Sequence, residues 1–139
     1  MHYTKSFSFI KGTAYEYVTR TGSQSDTKDD DPWGSAATAL KEKAMQVGLY
    51  VQYADTINAF IATAAIVSLD KMAGKYSRVE YRRKAKERLQ RYRSEVDRNF
   101  PVDTKHMDTK AKLMYPFLKI GWIMPIHAAS CMKRARRNR

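Results

Sequence analysis

Nine cations crowd into the twenty-two residues Ser77–Arg98, SRVEYRRKAKERLQRYRSEVDR: Arg78, Arg82, Arg83, Lys84, Lys86, Arg88, Arg91, Arg93 and Arg98. Only Glu80, Glu87, Glu95 and Asp97 oppose them, and seven of the nine are arginine. Arginine presents a flat fork of donors that engages two phosphate oxygens together, whereas lysine is a point charge. The chemistry this pattern suits is recognition of a polyanion. Lys133, Arg134, Arg136 and Arg137 of the terminal KRARRNR extend the same candidate binding set. Gln90 is the only base-edge reader in the stretch. Contacts to phosphate, which position a protein without specifying a sequence, should therefore dominate.

Other chemistry is thinly represented. The chain has no glycine-rich phosphate loop, no serine elbow and no paired cysteines. His127 and Cys131 stand four residues apart, a spacing compatible with two metal ligands on one helix face. Two ligands do not make a zinc site, and His106 is not at a motif spacing. The expectation is no metal and no cofactor, with Cys131 a small buried thiol beside a partly exposed imidazole. Asp26, Asp29, Asp30 and Asp31 cluster ahead of Pro32. Adjacent side chains diverge, so they read as a surface loop whose last member caps a helix with Pro32 at its first position. Glu80, Glu87 and Glu95 stand in a field of arginines and are poor proton donors. No enzyme is expected.

Charge is divided unevenly along the chain. Its 139 residues carry a formal net charge of +12 and fit one domain with a modest core. Residues 1–74 hold seven Lys or Arg against eight Asp or Glu, and residues 75–139 hold nineteen against six. A half-molecule this basic points to nucleic acid or an anionic surface. The single cysteine forms no internal disulfide, and the first ten residues resemble no secretory signal. The expected setting is the cytosol or a particle.

The elements that must position the cations have clear start signals. Ser77 and Glu80 form the S-x-x-E pattern of a capping box, and Tyr76 and Tyr81 can close a hydrophobic staple around it. Tyr81, Ala85, Leu89, Tyr92 and Val96 then fall on one narrow apolar stripe, which predicts a helix lying on a core. Gly74 is a candidate left-handed stop for the helix before. On the helix surface, i,i+4 pairs such as Glu87–Arg91 are expected.

Upstream, Met1–Gly34 reads as an arm with alternating aromatics (Phe7, Phe9, Tyr15, Tyr17). A short hairpin is the alternative, and the arm is preferred because two isolated strands are marginal in water. From Pro32 or Ser35 to about Ala54 the pattern is helical, with Ala36, Leu40, Ala44, Val47 and Val51 on one face. Asp55 caps a second helix, or the two run on as one. From Ile57 to Leu69 almost every residue is apolar or small, which predicts a buried central helix too short to span a bilayer. Downstream, Asn99-Phe100-Pro101 breaks the pattern, and Asp103 or Asp108 can cap the next helix. The run Leu113–Met132 reads as two short helices, with Pro116 and Pro125 each at a first position. The terminal KRARRNR reads as a disordered tail.

These features resemble the α-helical major capsid proteins of rod-shaped and filamentous archaeal viruses. The aromatic arm Met1–Gly34, the buried helices Pro32–Ala73 and the basic helix Ser77–Arg98 carry the resemblance, with Leu113–Met132 as a subunit contact. It implies a protein that wraps double-stranded DNA in a helical virion, found in the virion or the host cytoplasm, with its own copies or a paralogous subunit as partners. The fold class expected is all-α: a small helical bundle over 35–139, an extended N-terminal arm and acidic loop over 1–34, and a basic C-terminal tail. Two other readings stand beside it. One is a subunit of a ribonucleoprotein, since phosphate contacts do not separate DNA from RNA. The other is a membrane-associated assembly subunit anchored by 113–132, against which stand Lys119, two prolines and cations on both flanks.

Overall fold

The structure is a computed structural model that describes residues 31–139, and among these it is all-α, with no strand. Residues 1–30 of the arm and acidic loop, with the hairpin alternative, lie outside the described residues, and Pro32–Gly34, expected to belong to the arm and loop, form the start of α1. Five helices run in order: α1 (Pro32–Gln46), α2 (Tyr50–Lys75), α3 (Arg78–Glu95), α4 (Thr109–Ile120) and α5 (Met124–Arg137), with a single 3₁₀ turn at Thr104–His106 before α4.

Each start is set by a local side chain or by proline. Asp31 accepts from the Gly34 N–H at 2.9 Å, with Pro32 in the first turn of α1. Ser77 and Glu80 satisfy each other's backbone donors at α3, completing the expected capping box. Asp103 caps the 3₁₀ turn and Asp108 caps α4, accepting from the Lys105 and Ala111 N–H groups. Pro125 sits in the first turn of α5.

The ends depart further from expectation. The first helix stops at Gln46 because Gly48 takes the left-handed conformation (φ 73°), and a second irregularity occurs at Tyr53 (φ −119°, ψ 15°), two residues before Asp55. Gly74 is not a left-handed stop: α2 runs through it to Lys75 and gives way at the extended Tyr76. The basic helix closes at Val96, ahead of Asn99-Phe100-Pro101. Pro116 lies inside α4 rather than at a start. Its ring leaves the Lys112 carbonyl without an amide partner, tolerable on an exposed turn. Gly121 (φ 81°) ends α4 in a left-handed cap. The basic tail is helical to Arg137, where Ala135 and the arginines favour helix and the cations meet the negative end of the helix dipole.

Helix α2 is the axis of the bundle. Ala54, Ile57, Asn58, Ala59, Ile61, Ala62, Ala64, Ala65, Ile66, Ser68, Leu69, Met72 and Ala73 are all buried, as Ile57–Leu69 predicts. It is long and apolar enough to cross a membrane, but 67% of its most apolar stretch lies inside the bundle, the condition of a core helix. The α3 stripe lies on this core: Tyr81, Ala85, Leu89 and Tyr92 are buried and Val96 packs beside them. The Tyr81 hydroxyl donates to the Ile123 carbonyl at 3.2 Å, fastening α3 to the start of α5. Asn58, fully buried, donates to the carbonyls of Asp97 (2.8 Å) and Phe100 (3.1 Å) and accepts from the Asp97 N–H (3.0 Å). One side chain thereby holds the whole turn that leaves the basic helix.

Candidate nucleic-acid interface

The apolar stripe turns one side of α3 inward and so decides where its cations point. Arg78, Arg82, Arg83, Lys86, Arg93 and Arg98 are exposed. Arg83 pairs with Glu87 one turn on at 3.0 Å, with both side chains more than 60% exposed. Such a pair holds its arginine only weakly. Lys84 is half-buried, with its ammonium 4.6 Å from the centre of the Tyr76 ring.

Arg88 is a correction to the predicted set. It is 4% exposed and cannot face phosphate. Its Nε lies 2.6 Å from Asp31 Oδ2, although none of its three nitrogens has the alignment of a hydrogen bond. The attraction is therefore charge on charge. Burial lowers the Arg88 pKa, while Asp31 and Glu95 act to raise it. Arg91 belongs to the same cluster. Its Nη1 meets Asp31 Oδ2 at 3.1 Å, its Nε meets Glu95 Oε1 at 2.8 Å, and its Nη2 donates to Thr38 at 3.3 Å. Asp31 also accepts from Ser68 of α2. The last aspartate of the acidic run is thus a helix cap, as expected, but a buried one that ties α1 and α2 to the basic helix. The i,i+4 pairs on α3 are Arg83–Glu87 and Arg91–Glu95, not Glu87–Arg91.

At the C-terminus, Lys133, Arg134, Arg136 and Arg137 are all exposed on the last turns of α5. Arg134 reaches back to α2, where its Nη2 donates to the Asp70 carbonyl at 3.1 Å and its guanidinium lies over Gly74. That contact sets the α5 cations at the α2–α3 turn, the end of the bundle where Arg78 begins the basic helix. Asp70 organises this end, taking Lys110 of α4 at 2.7 Å and a hydrogen bond from Ser130 of α5. Burial acts to raise its pKa, but Lys110, Ser130 and the charge of Lys133 outweigh it and hold the carboxyl below its ordinary value.

Comparison with protein-family models, with curated proteins and with solved structures returns no match.

The remaining candidates resolve by position. His127 lies against the Tyr81 ring (centroids 4.6 Å apart) and 3.8 Å from the Cys131 sulfur. Cys131 is exposed rather than buried, because α5 continues past it as a surface helix. Among the described residues no three His, Cys, Asp or Glu side chains gather as metal ligands. Tyr81 and Tyr92 are core residues, and their rings are not available to bases. The run Leu113–Met132 is divided at Gly121 between α4 and α5, so it is not one continuous span. Sequence reasoning placed Arg88 with the binding cations and missed its burial, although a signal was present. Residue 88 lies seven after Tyr81 and three after Ala85, on the stripe itself.

Proposed function

We propose that the chain is a structural nucleic-acid-coating protein, a capsid or nucleoprotein subunit that lies along duplex DNA without reading its sequence. The observation that carries this is the distribution of cations. Ten of the thirteen predicted binding cations are exposed, on α3, just beyond it at Arg98 and on the last turns of α5. Among the described residues only Arg83 of the ten is matched by a carboxylate side chain. A surface of guanidinium groups left open in this way suits phosphate oxygens. Side-by-side packing of copies in a helical assembly is supported by apolar side chains left on the surface of α1 and α4, among them Trp33, Leu40, Val47, Leu113, Ile120 and Trp122.

The test is titration of short DNA duplexes into the whole chain over a series of salt concentrations. Log affinity should fall with log salt by about 0.9 for each phosphate contacted. Replacing Arg78, Arg82, Arg83 and Lys86 with Ala should flatten that slope by about 3 to 4 while leaving the fold intact. A flat salt response in the unaltered chain, or no binding at low salt, refutes the proposal. The same titration with duplex RNA assigns the polymer, since the cations serve either phosphate backbone.

A further inference from the structure

At the far end of the basic helix the surface changes character. The last turn of α3, the segment 97–102 and α4 line an open cleft of about 600 Å³. This falls within the range of about 300–1,000 Å³ typical of small-ligand sites. Phe100 and Tyr115, both partly buried, supply aromatic walls, with Val96 and Val102 beside them. Arg93, Arg98 and Lys119 line the same cleft, all three exposed, and none is in an ion pair among the described residues. The single acid, Asp97, is already engaged: it accepts from the Tyr50 hydroxyl at 2.9 Å and from the Asn99 N–H at 3.0 Å. Those bonds, the Asn99 N–H foremost, hold its carboxyl below the ordinary range. The cleft therefore keeps an excess of positive charge.

Its walls are fixed in advance. Asn58 clamps both Asp97 and Phe100 by their backbones, and the Phe100 ring meets Tyr50 edge-on, with centroids 6.1 Å apart. A cleft with aromatic walls is of no use to a protein that only tracks a phosphate backbone, and a duplex keeps its bases stacked and out of reach. What an aromatic-walled cleft lined by unpaired cations fits is a flat ring that carries a phosphate.

We propose that this cleft binds a nucleotide, with the base between Phe100 and Tyr115 and the phosphate held by Arg93, Arg98 and Lys119. The ligand is either a free nucleoside monophosphate or an unstacked nucleotide of a single strand, which present the same chemistry. This goes beyond duplex coating, since a paired base cannot enter.

The test is calorimetric titration of the whole chain with adenosine monophosphate, with inorganic phosphate and with a short single-stranded oligonucleotide, for the native chain and two variants. Arg98→Gln with Lys119→Gln removes two exposed cations, and far-UV circular dichroism checks that the fold is kept. It should weaken the nucleotide about tenfold or more. Phe100→Leu should weaken the nucleotide and the single strand about tenfold while leaving inorganic phosphate unchanged, the signature of a stacked base. Tighter binding of the oligonucleotide assigns the polymer as the source, and binding of the monophosphate alone assigns the free nucleotide. The proposal is overturned if adenosine monophosphate binds no better than inorganic phosphate, or if its affinity survives the Arg98 and Lys119 substitutions. Duplex binding without nucleotide binding sinks this proposal alone, and nucleotide binding without duplex binding sinks only the coating reading.

Discussion

Replacing Asp31 with Ala should cost the fold more than its place at the end of the acidic run suggests, and removing Arg88 as well should restore most of the loss. Asp31 is 7% exposed and takes Gly34 N–H, Ser68, Arg91 and Arg88 together. Its removal deletes a helix cap, at about 1 kcal/mol. It also takes from Arg88, 4% exposed and with no aligned hydrogen bond, its ion-pair partner and leaves only the weaker pull of Glu95, at up to about 3–5 kcal/mol. The expected cost of Asp31→Ala is therefore up to about 4–6 kcal/mol, a large share of the roughly 5–15 kcal/mol by which domains are stable. Arg88→Met fills similar space without charge and leaves Asp31 with Arg91, so alone it should cost no more than about 1–2 kcal/mol. The double variant should then be more stable than Asp31→Ala by about 2–4 kcal/mol. Urea denaturation of the four proteins, monitored by far-UV circular dichroism, closes the cycle. A cost for Asp31→Ala below about 1 kcal/mol, or a double variant less stable than that single one, refutes the charge-on-charge account of Arg88.

Three further outcomes are expected. Asn58→Leu should cost about 2–4 kcal/mol, because three backbone groups of the 97–100 turn lose their partner, and amide exchange at Asp97 should accelerate. Burial, then Asp97, pushes the Tyr50 hydroxyl up to about 12, and burial also raises Tyr81 and Tyr92. The unfolded chain releases these protons near 10 while the folded chain holds them, so stability should be complete below pH 10 and fall as pH rises toward 12. Phenolate absorbance should then rise together with the loss of helix, and titration of every tyrosine near pH 10 with helix intact would exclude it. Gly74→Ala should raise the urea midpoint, by about 0.5–1 kcal/mol of helix propensity, because the added Cβ meets only the movable end of Arg134. A loss above about 1 kcal/mol would mean that Arg134 cannot move aside.

What was legible in the sequence was local. The capping box at Ser77, the caps at Asp31 and Asp108, Pro125 in a first turn and the α3 stripe each need only a few neighbouring residues, and each is present in the structure. What was not legible depended on a partner distant in the chain. Ala36, Leu40, Ala44, Val47 and Val51 satisfy helical periodicity as a core face, yet of these only Ala44 packs on the core and the other four are exposed. The side that meets α2 carries Gly34 and Ala37, with Ala44 partly covered, so α1 is turned by about one residue from the expected face. The reason is packing: α2 presents alanines, and small residues opposite them let two backbones approach closely. Arg88 obeys the same logic in reverse, a cation on an apolar stripe made tolerable by an aspartate fifty-seven residues earlier.

The displaced face of α1 has a consequence for assembly. A chain that leaves Trp33 and Leu40 on α1, and Val47 and Val51 just beyond its end, exposed to water forgoes the stability their burial would give. Helix α4 repeats the pattern with Leu113 and Ile120, continued by Trp122 beyond its cap. The two strips differ in sequence and belong to different helices. If a copy set its α1 strip against the α4 strip of the next, the contact would be heterologous, and heterologous contacts propagate into rings or open helices rather than closing as a pair. That geometry is what a coat along a polyanion requires, since each added subunit then presents its arginines to the next stretch of phosphates. Under the coating proposal, the cations would supply attraction to the polymer, and the apolar strips left exposed among the described residues would supply the repeat that turns attraction into coverage.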